Sequence, residues 1–304
     1  MSHPYRYVST GGAYFRFLLG CVLTVSCILA GEVEHLLKKA ESGDPQAQYD
    51  LAQLYGNGSK EIPRNQEAAF SWFMKAGEQG LAPAQYQVGR LLFYGQGVAR
   101  NQQEAVNWYY VAAEQGHMEA QFELGKCYVL GKGIQRDHGE ALRWYRLAAD
   151  QGMQQAQFAV ARLYQKGNPE VRDAGKAFGF YLKSAHQGDS YSQFLVGTFY
   201  ENGDGVAQNF TEAIKWYEKA AKQDSAPARC RLGVLYKEGK GVPPDPISAY
   251  AWFSMGKFAL SGDKMAKSAY DELKSQMTPE QLEEVQQRAA SLRKSHPIEV
   301  EESE

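Results

Sequence analysis

The chain has 304 residues, a formal net charge of -2, 44% apolar residues and 22% charged ones. That balance belongs to a folded globular chain, neither disordered nor membrane-embedded along its length. Lys and Arg are spread through every segment, without the concentrated basic surface that a phosphate backbone requires, which speaks against nucleic acid as a partner.

The first predicted element is the N-terminal segment, residues 1–30. No acidic residue precedes Arg16, and "FLLGCVLTVSCILA" follows from Phe17 to Ala30. An apolar run of this length behind a basic stretch fits a signal-peptide core and falls short of the ~20 residues of a bilayer span. The expectation is an exported protein, periplasmic or secreted, cleaved after Ala30, with an uncleaved anchor as the alternative. The mature part is not expected to enter a membrane. Two of the four cysteines lie in this segment. Cys127 and Cys230 remain, three repeats apart, and read as buried thiols rather than as a disulfide pair.

From residue 44 a single phrase recurs. Trp72, Trp108, Trp144, Phe180, Trp216 and Trp252 stand 36 apart. Seven residues before each comes Asn65, Asn101, Asp137, Asp173, Asn209 or Asp245, and between them Ala69, Ala105, Ala141, Ala177, Ala213 or Ala249. The Asn and Asp side chains read as N-caps of a helix, with Glu104, Glu140 and Glu212 expected to close capping boxes. Gly80, Gly116, Gly152 and Gly188 end that helix, here termed helix B. Helix A precedes it, opened by Ala47, Ala84, Ala120, Ala156, Ser192 and Ala228. Apolar positions follow at two, four, seven and eight residues further on, which is helical periodicity. A small residue sits five after the opening one: Ala52, Gly89, Gly125, Ala161, Gly197 and Gly233. G-x-G loops close most of the hairpins.

A two-helix hairpin cannot bury its own apolar face, so the hairpins are expected to stack, each touching only its neighbours. The aromatic row Trp72, Trp108, Trp144, Phe180, Trp216 and Trp252 is read as structural. A buried Trp covers ~150–250 Å², worth about 4–6 kcal/mol of gross burial.

"AQFELGKCYVLGKGIQRDHGEALRWYRLAADQG", residues 120–152, resembles the Sel1-like repeat, a 36-residue relative of the tetratricopeptide helix pair. The resemblance extends over residues 44–263, and "AYAWFSMGKFALSGD" with "TPEQLEEVQQRA" is similar to the ending common in bacterial members. It implies an all-α fold, an α-solenoid of about six stacked helix-turn-helix repeats plus capping helices. The expected organisation is a capping helix over 31–43, repeats at 44–80, 81–116, 117–152, 153–188, 189–224 and 225–263, and C-terminal capping helices over 264–293. An acidic disordered tail at 294–304 ends the chain. Thr278, Pro279 and Gln281 are expected to cap the last helix. Repeat four departs from the pattern, with "KGNPEVRD" in its loop and Gly175 and Gly179 inside helix B. Each interior Gly costs ~1 kcal/mol relative to Ala, which marks a weak link and a candidate bend.

Chemistry-bearing motifs are sparse. The histidines show no metal-ligand spacing, no G-x-S-x-G occurs, and "GNGSK" at 56–60 lacks the spacing of a phosphate loop. His117 and His186 are expected as solvated residues near repeat junctions. No catalytic residue, cofactor or metal is assigned. Cysteine-rich relatives linked with penicillin binding or β-lactam hydrolysis carry a disulfide pair in each unit, which this chain lacks. A β-lactam or peptidoglycan-related hydrolase is thus the third reading.

In this family helix A lines the concave face. Six places after the opening residue stand Gln53, Arg90, Lys126, Arg162, Thr198 and Val234; three places after it stand Asp50, Gln87, Glu123, Ala159, Leu195 and Arg231. Phe93, Tyr94, Val129 and Leu130 are apolar where later copies carry Gln165, Lys166, Glu201 and Asn202. The expected groove is a ridge of Arg90, Lys126 and Arg162 with Gln87 and Glu123, beside the patch Phe93, Tyr94, Val129 and Leu130. It suits an acidic or C-terminal peptide with an apolar anchor. The leading reading is a non-enzymatic scaffold that binds another protein; the second is an envelope component that binds glycan or supports exopolysaccharide or cell-wall assembly.

Overall fold

Thirteen-residue helices dominate the chain because each repeat pairs a capped start with a glycine stop at a fixed interval. The computed structural model describes residues 31, 33–59, 62–256 and 264–294. The expected signal segment 1–30, residues 257–263 of the sixth repeat and the acidic tail from residue 295 lie outside them. No β-strand occurs among the described residues.

The chain falls into two units, Met1–Arg136 and Asp137–Glu304. The first holds α1 (33–41), α2 (Pro45–Asn57), α3 (Gln66–Glu78), α4 (Ala82–Tyr94), α5 (Gln102–Glu114) and α6 (Met118–Leu130). The second holds α7 (His138–Asp150), α8 (Gln154–Lys166), α9 (Ala174–His186), α10 (Ser190–Asn202), α11 (Phe210–Lys222), α12 (Ala226–Glu238), α13 (Pro246–Met255), α14 (Lys264–Gln276) and α15 (Pro279–Lys294). Consecutive helices pack on one another from α2 to α6 and from α7 to α14, and α15 packs on α13, which makes an all-α solenoid of helical hairpins.

The six caps act as the sequence predicts at their side chains. Asn65, Asn101, Asp137, Asp173, Asn209 and Asp245 each accept from a backbone N–H in the first turn of helix B. The capping boxes do not close. The N–H of the cap residue donates instead to a carbonyl near the end of helix A, as Asn101 to Leu92 at 2.9 Å and Asn209 to Tyr200 at 2.8 Å. The glutamates, left without that donor, turn elsewhere: Glu140 to Arg143, Glu212 to Lys215, and Glu104 accepts from the Asn101 amide. The cap thereby also closes the hairpin. A reciprocal box does form at Thr278 and Gln281, at 3.0 and 3.3 Å, ahead of α15.

The interlock of small and aromatic residues also differs from the sequence reading. The aromatic one place after the Trp row is buried in every repeat, as Phe73, Tyr109, Tyr145, Tyr181, Tyr217 and Phe253, and is the deeper member in all but the third, where Trp144 is deeper than Tyr145. A Cβ on Gly89, Gly197 or Gly233 would stand 2.6–2.7 Å from the ring of Tyr109, Tyr217 or Phe253, so the small row exists to admit these rings. Of the predicted structural row, Trp144, Trp216 and Trp252 are buried, while Trp72, Trp108 and Phe180 are half-buried. Cationic side chains cover several of these rings from outside: Lys75 over Trp72 at 3.7 Å, Lys183 over Phe180 at 4.8 Å, Lys219 over Trp216 at 3.9 Å.

A buried amide ladder, not read from the sequence, ties hairpin to hairpin. Gln85 donates to the Gly77 carbonyl at 3.0 Å and accepts from Gln115 at 2.7 Å; Gln48 does the same with Ala40 and Gln79. Gln193 repeats it with Ala185 and Gln223. These glutamines are buried, and each brings a second donor to a helix-end carbonyl that already accepts a backbone N–H from the following turn. At Gln157 the ladder is broken. Gln187 donates to the Gly152 carbonyl at 3.3 Å, and the buried Gln157 Oε1 accepts no hydrogen bond among the described residues.

The G-x-G loops have a steric cause. Gly97 (φ 68°) and Gly133 (φ 71°) lie so close to the start of the preceding helix B that a Cβ would reach the Gln66 and Gln102 carbonyl oxygens at 2.2 and 2.1 Å. Repeat four takes another route: the Asn168 N–H donates to His138 Nδ1 at 3.1 Å. Its helix B, α9, runs unbroken through Gly175 and Gly179.

Candidate functional site

Each of α2, α4 and α6 buries its opening alanine and the apolar residue four places on, leaving the residues three, six and ten places on toward the surface. In the first unit this builds one face from named side chains. Arg90 is exposed and donates through Nε to Gln87 Oε1 at 2.9 Å. Lys126 is half-buried and bonds both oxygens of Glu123, at 2.7 and 2.8 Å. Its charge is answered within the helix, so it is not an uncommitted cation like Arg90. Tyr94 is 55% exposed and Leu130 50%, at equivalent positions of α4 and α6. Phe93 and Val129 are half-buried; Phe93 packs against Tyr94 and Tyr109 at ring distances of 5.2 and 6.2 Å. The structure therefore gathers Gln87, Arg90, Phe93, Tyr94, Glu123, Lys126, Val129 and Leu130 in the first unit. Arg162 belongs to α8 in the second unit, where it is exposed.

The second unit carries a different polar centre at the matching place. Glu201 is buried, accepts from Tyr217 Oη at 2.6 Å and pairs with Arg231. Burial, with Glu201 beside it, drives the Tyr217 hydroxyl well above its usual range and keeps it a donor. Tyr181 likewise donates to Gln165 at 3.0 Å. In α4 the matching residue is Phe93, and the buried Tyr109 hydroxyl has no hydrogen-bond partner among the described residues.

His117 is not a solvated junction residue. It is half-buried, stacks on Tyr86 at 5.0 Å and caps α6 by accepting the Ala120 N–H on Nδ1 at 3.3 Å. Burial holds its pKa below the usual value, against an opposing pull from Glu119. His186 is exposed and meets the Trp216 ring edge-on at 5.2 Å. Cys127 and Cys230 are buried and in no disulfide. Burial pushes the Cys127 thiol up to about 12, which suppresses the thiolate that nucleophilic chemistry needs. Among the described residues no group of three His, Cys, Asp or Glu side chains could hold a metal ion. No described helix is long and apolar enough to cross a membrane.

One set of residues escaped the sequence reading. Arg64, Arg100, Arg136 and Arg172 stand 36 apart, each directly before an N-cap, and all are exposed. The N-cap row drew attention away from its neighbour, although the same period would have found it.

The fold defines an all-α helical-repeat protein, and its copies differ at exposed helix-A positions such as Tyr94, Leu130, Lys166 and Asn202. The Sel1 repeat model matches residues 45–81, 82–117, 119–153, 154–189, 190–225 and 226–256, and the chain belongs to the Sel1 repeat family. Among solved structures it is similar to a Sel1 repeat protein from Oxalobacter formigenes, with 32% identity and a TM-score of 0.66, over 79% of this chain and 98% of that one. It is also similar to c5321, a protective antigen of uropathogenic Escherichia coli strains displaying an SLR fold, with 25% identity and a TM-score of 0.54. That match covers 87% of this chain and 64% of c5321. Comparison with curated proteins finds no match.

Proposed function

We propose that this chain is an exported, non-enzymatic scaffold that binds another protein through the helix-A face of its first unit. The observation that carries the reading is the pair Tyr94 and Leu130, exposed at equivalent places on consecutive helix-A elements. The copies in the second unit carry Lys166 and Asn202 there. Packing does not require large apolar groups at this position, and exposed apolar patches rimmed by polar residues mark docking surfaces. Membership of a family whose repeats commonly serve protein–protein contact supports the same reading. A glycan groove would align several exposed aromatic rings; on α2, α4 and α6 Tyr94 is the exposed one among the described residues.

Capture from an envelope lysate tests it. Native protein is expected to retain a partner that a Tyr94→Ser/Leu130→Ser variant loses, and equal recovery by both would overturn the reading. Export rests on the basic and apolar pattern of residues 1–30. N-terminal sequencing of the mature protein is expected to begin at Gly31, and a retained Met1 would contradict cleavage.

A further inference from the structure

Between the first two hairpins, on the helix-A side, lies a cleft of about 340 Å³. That is within the ~300–1,000 Å³ of small-ligand sites, and far more than a single ion needs. Its walls include Arg64, Arg90, Gln53, Asn57 and Gln96, and none of its ten lining residues is acidic. This sets it apart from the surroundings of Lys126 and Arg231. Lys126 is held by Glu123, and Arg231 by Glu201. Arg90 is committed through Nε to the neutral Gln87, which leaves both Nη atoms without a partner among the described residues. The Arg64 side chain has no hydrogen bond or ion pair among them.

Two guanidinium groups lining one cleft, with no carboxylate among its described lining residues, disfavour each other, and a bound anion relieves that. The planar fork of Arg matches a carboxylate in two parallel hydrogen bonds. The amides narrow the ligand further. Gln53, Asn57 and Gln96 each offer a donor and an acceptor, and their side chains are uncommitted among the described residues. Acceptors have no use against sulfate, which carries no donor, and meet at most the one or two P–OH groups of a phosphate. They suit a carboxylate attached to a peptide, whose N–H groups donate. Gln96 also stands two residues beyond Tyr94, so the cleft adjoins the apolar face.

We propose that this cleft is the subsite for a carboxylate of the protein partner, an Asp or Glu side chain or a chain terminus, gripped by Arg64 and Arg90. The inference rests on the reading of the Tyr94–Leu130 face as the docking surface. It also moves anion recognition away from the ridge expected from the sequence, since Lys126 is answered and Arg162 lies in the other unit.

Fluorescence anisotropy on the full chain tests it with four labelled probes: hexaglutamate amide, hexaglutamine with a free terminal carboxylate, hexaglutamine amide, and an oligoglucuronate. At least one carboxylate peptide is expected to bind, and which one identifies the source of the carboxylate. Arg64→Ala/Arg90→Ala is expected to weaken that binding at least about tenfold, as loss of a hydrogen-bonded charge partner does, while Arg162→Ala leaves it within about twofold. Arg64→Lys/Arg90→Lys should recover part of the loss. Far-UV circular dichroism checks that the variants fold. The proposal is overturned if neither carboxylate peptide binds, if the double Ala variant binds like native, if Arg162→Ala weakens binding equally, or if hexaglutamine amide or oligoglucuronate binds better. Carboxylate binding that fails while lysate capture still depends on Tyr94 and Leu130 would sink the subsite and keep the docking face. The reverse pattern would support the subsite and sink the face.

Discussion

Hairpins α4–α5 and α10–α11 are built on the same plan, yet nine places after the opening residue one carries Phe93 and the other Glu201. In both, a glycine on helix A admits a tyrosine from helix B: Gly89 with Tyr109, Gly197 with Tyr217. In α10–α11 the tyrosine hydroxyl reaches Glu201, which Arg231 of the next hairpin also holds. In α4–α5 the hydroxyl is buried without a partner beside Phe93, and the neighbouring surface exposes Tyr94. The scaffold accepts either a polar tie or an apolar face at one position without changing its packing. The first unit gives up a hydrogen bond where it gains an exposed apolar surface.

Breaking the polar tie should have the largest effect. Glu201→Leu leaves Arg231 half-buried without its carboxylate and the Tyr217 hydroxyl with only the longer contact to Thr198 Oγ1 at 3.3 Å, and is expected to cost about 3 kcal/mol in urea unfolding. A loss below about 1 kcal/mol would show that solvent already screens the pair. Removing each hydroxyl sharpens the contrast. Tyr217→Phe should cost about 1.5–3 kcal/mol, the worth of a hydrogen bond to a charged acceptor, while Tyr109→Phe should be neutral or stabilise by up to about 1 kcal/mol. Equal losses at the two tyrosines would erase the distinction. Next comes the fourth repeat. No atom lies within 4 Å of where a Cβ on Gly179 would stand, so Gly179→Ala should stabilise by about 0.5–1 kcal/mol. A loss on thermal melting would mean that α9 needs its glycine for shape.

The smallest effect is the pH response of His117. Its folded pKa lies below 6.5 because of burial, so as pH falls the unfolded chain takes up the proton first. This contribution is whole above about 6.5, the unfolded value, and is lost as pH falls below it toward the folded value. Protonation of Nδ1 removes the acceptor that caps α6. Native protein should therefore lose more melting temperature than His117→Asn between about pH 7.5 and pH 5. Parallel curves would show that the cap does not titrate.

The period of 36 made helix count, cap positions and hairpin order legible, because caps, glycines and small residues each answer a local backbone demand. Depth was less legible. Trp is larger than Tyr, so the Trp row was expected at the centre, but the ring that fills the gap opposite Gly89 or Gly197 belongs to the next residue round the helix. The buried glutamines were not legible because their acceptors lie eight residues back and their donors some thirty ahead. For the face, Arg90, Tyr94 and Leu130 were visible as departures from the repeat. Arg64 was hidden because it follows the repeat, and it is the cleft that sets it among described lining residues none of which is acidic.

Site-specific photocrosslinking tests the central claim most directly. A benzophenone side chain is placed at Tyr94 on α4 or at Tyr110 on α5, both exposed positions, and the full chain is irradiated in envelope lysate. A helix-A docking surface predicts a discrete protein adduct from position 94 and none from position 110. An adduct from position 110 alone would put recognition on the helix-B side and contradict the account.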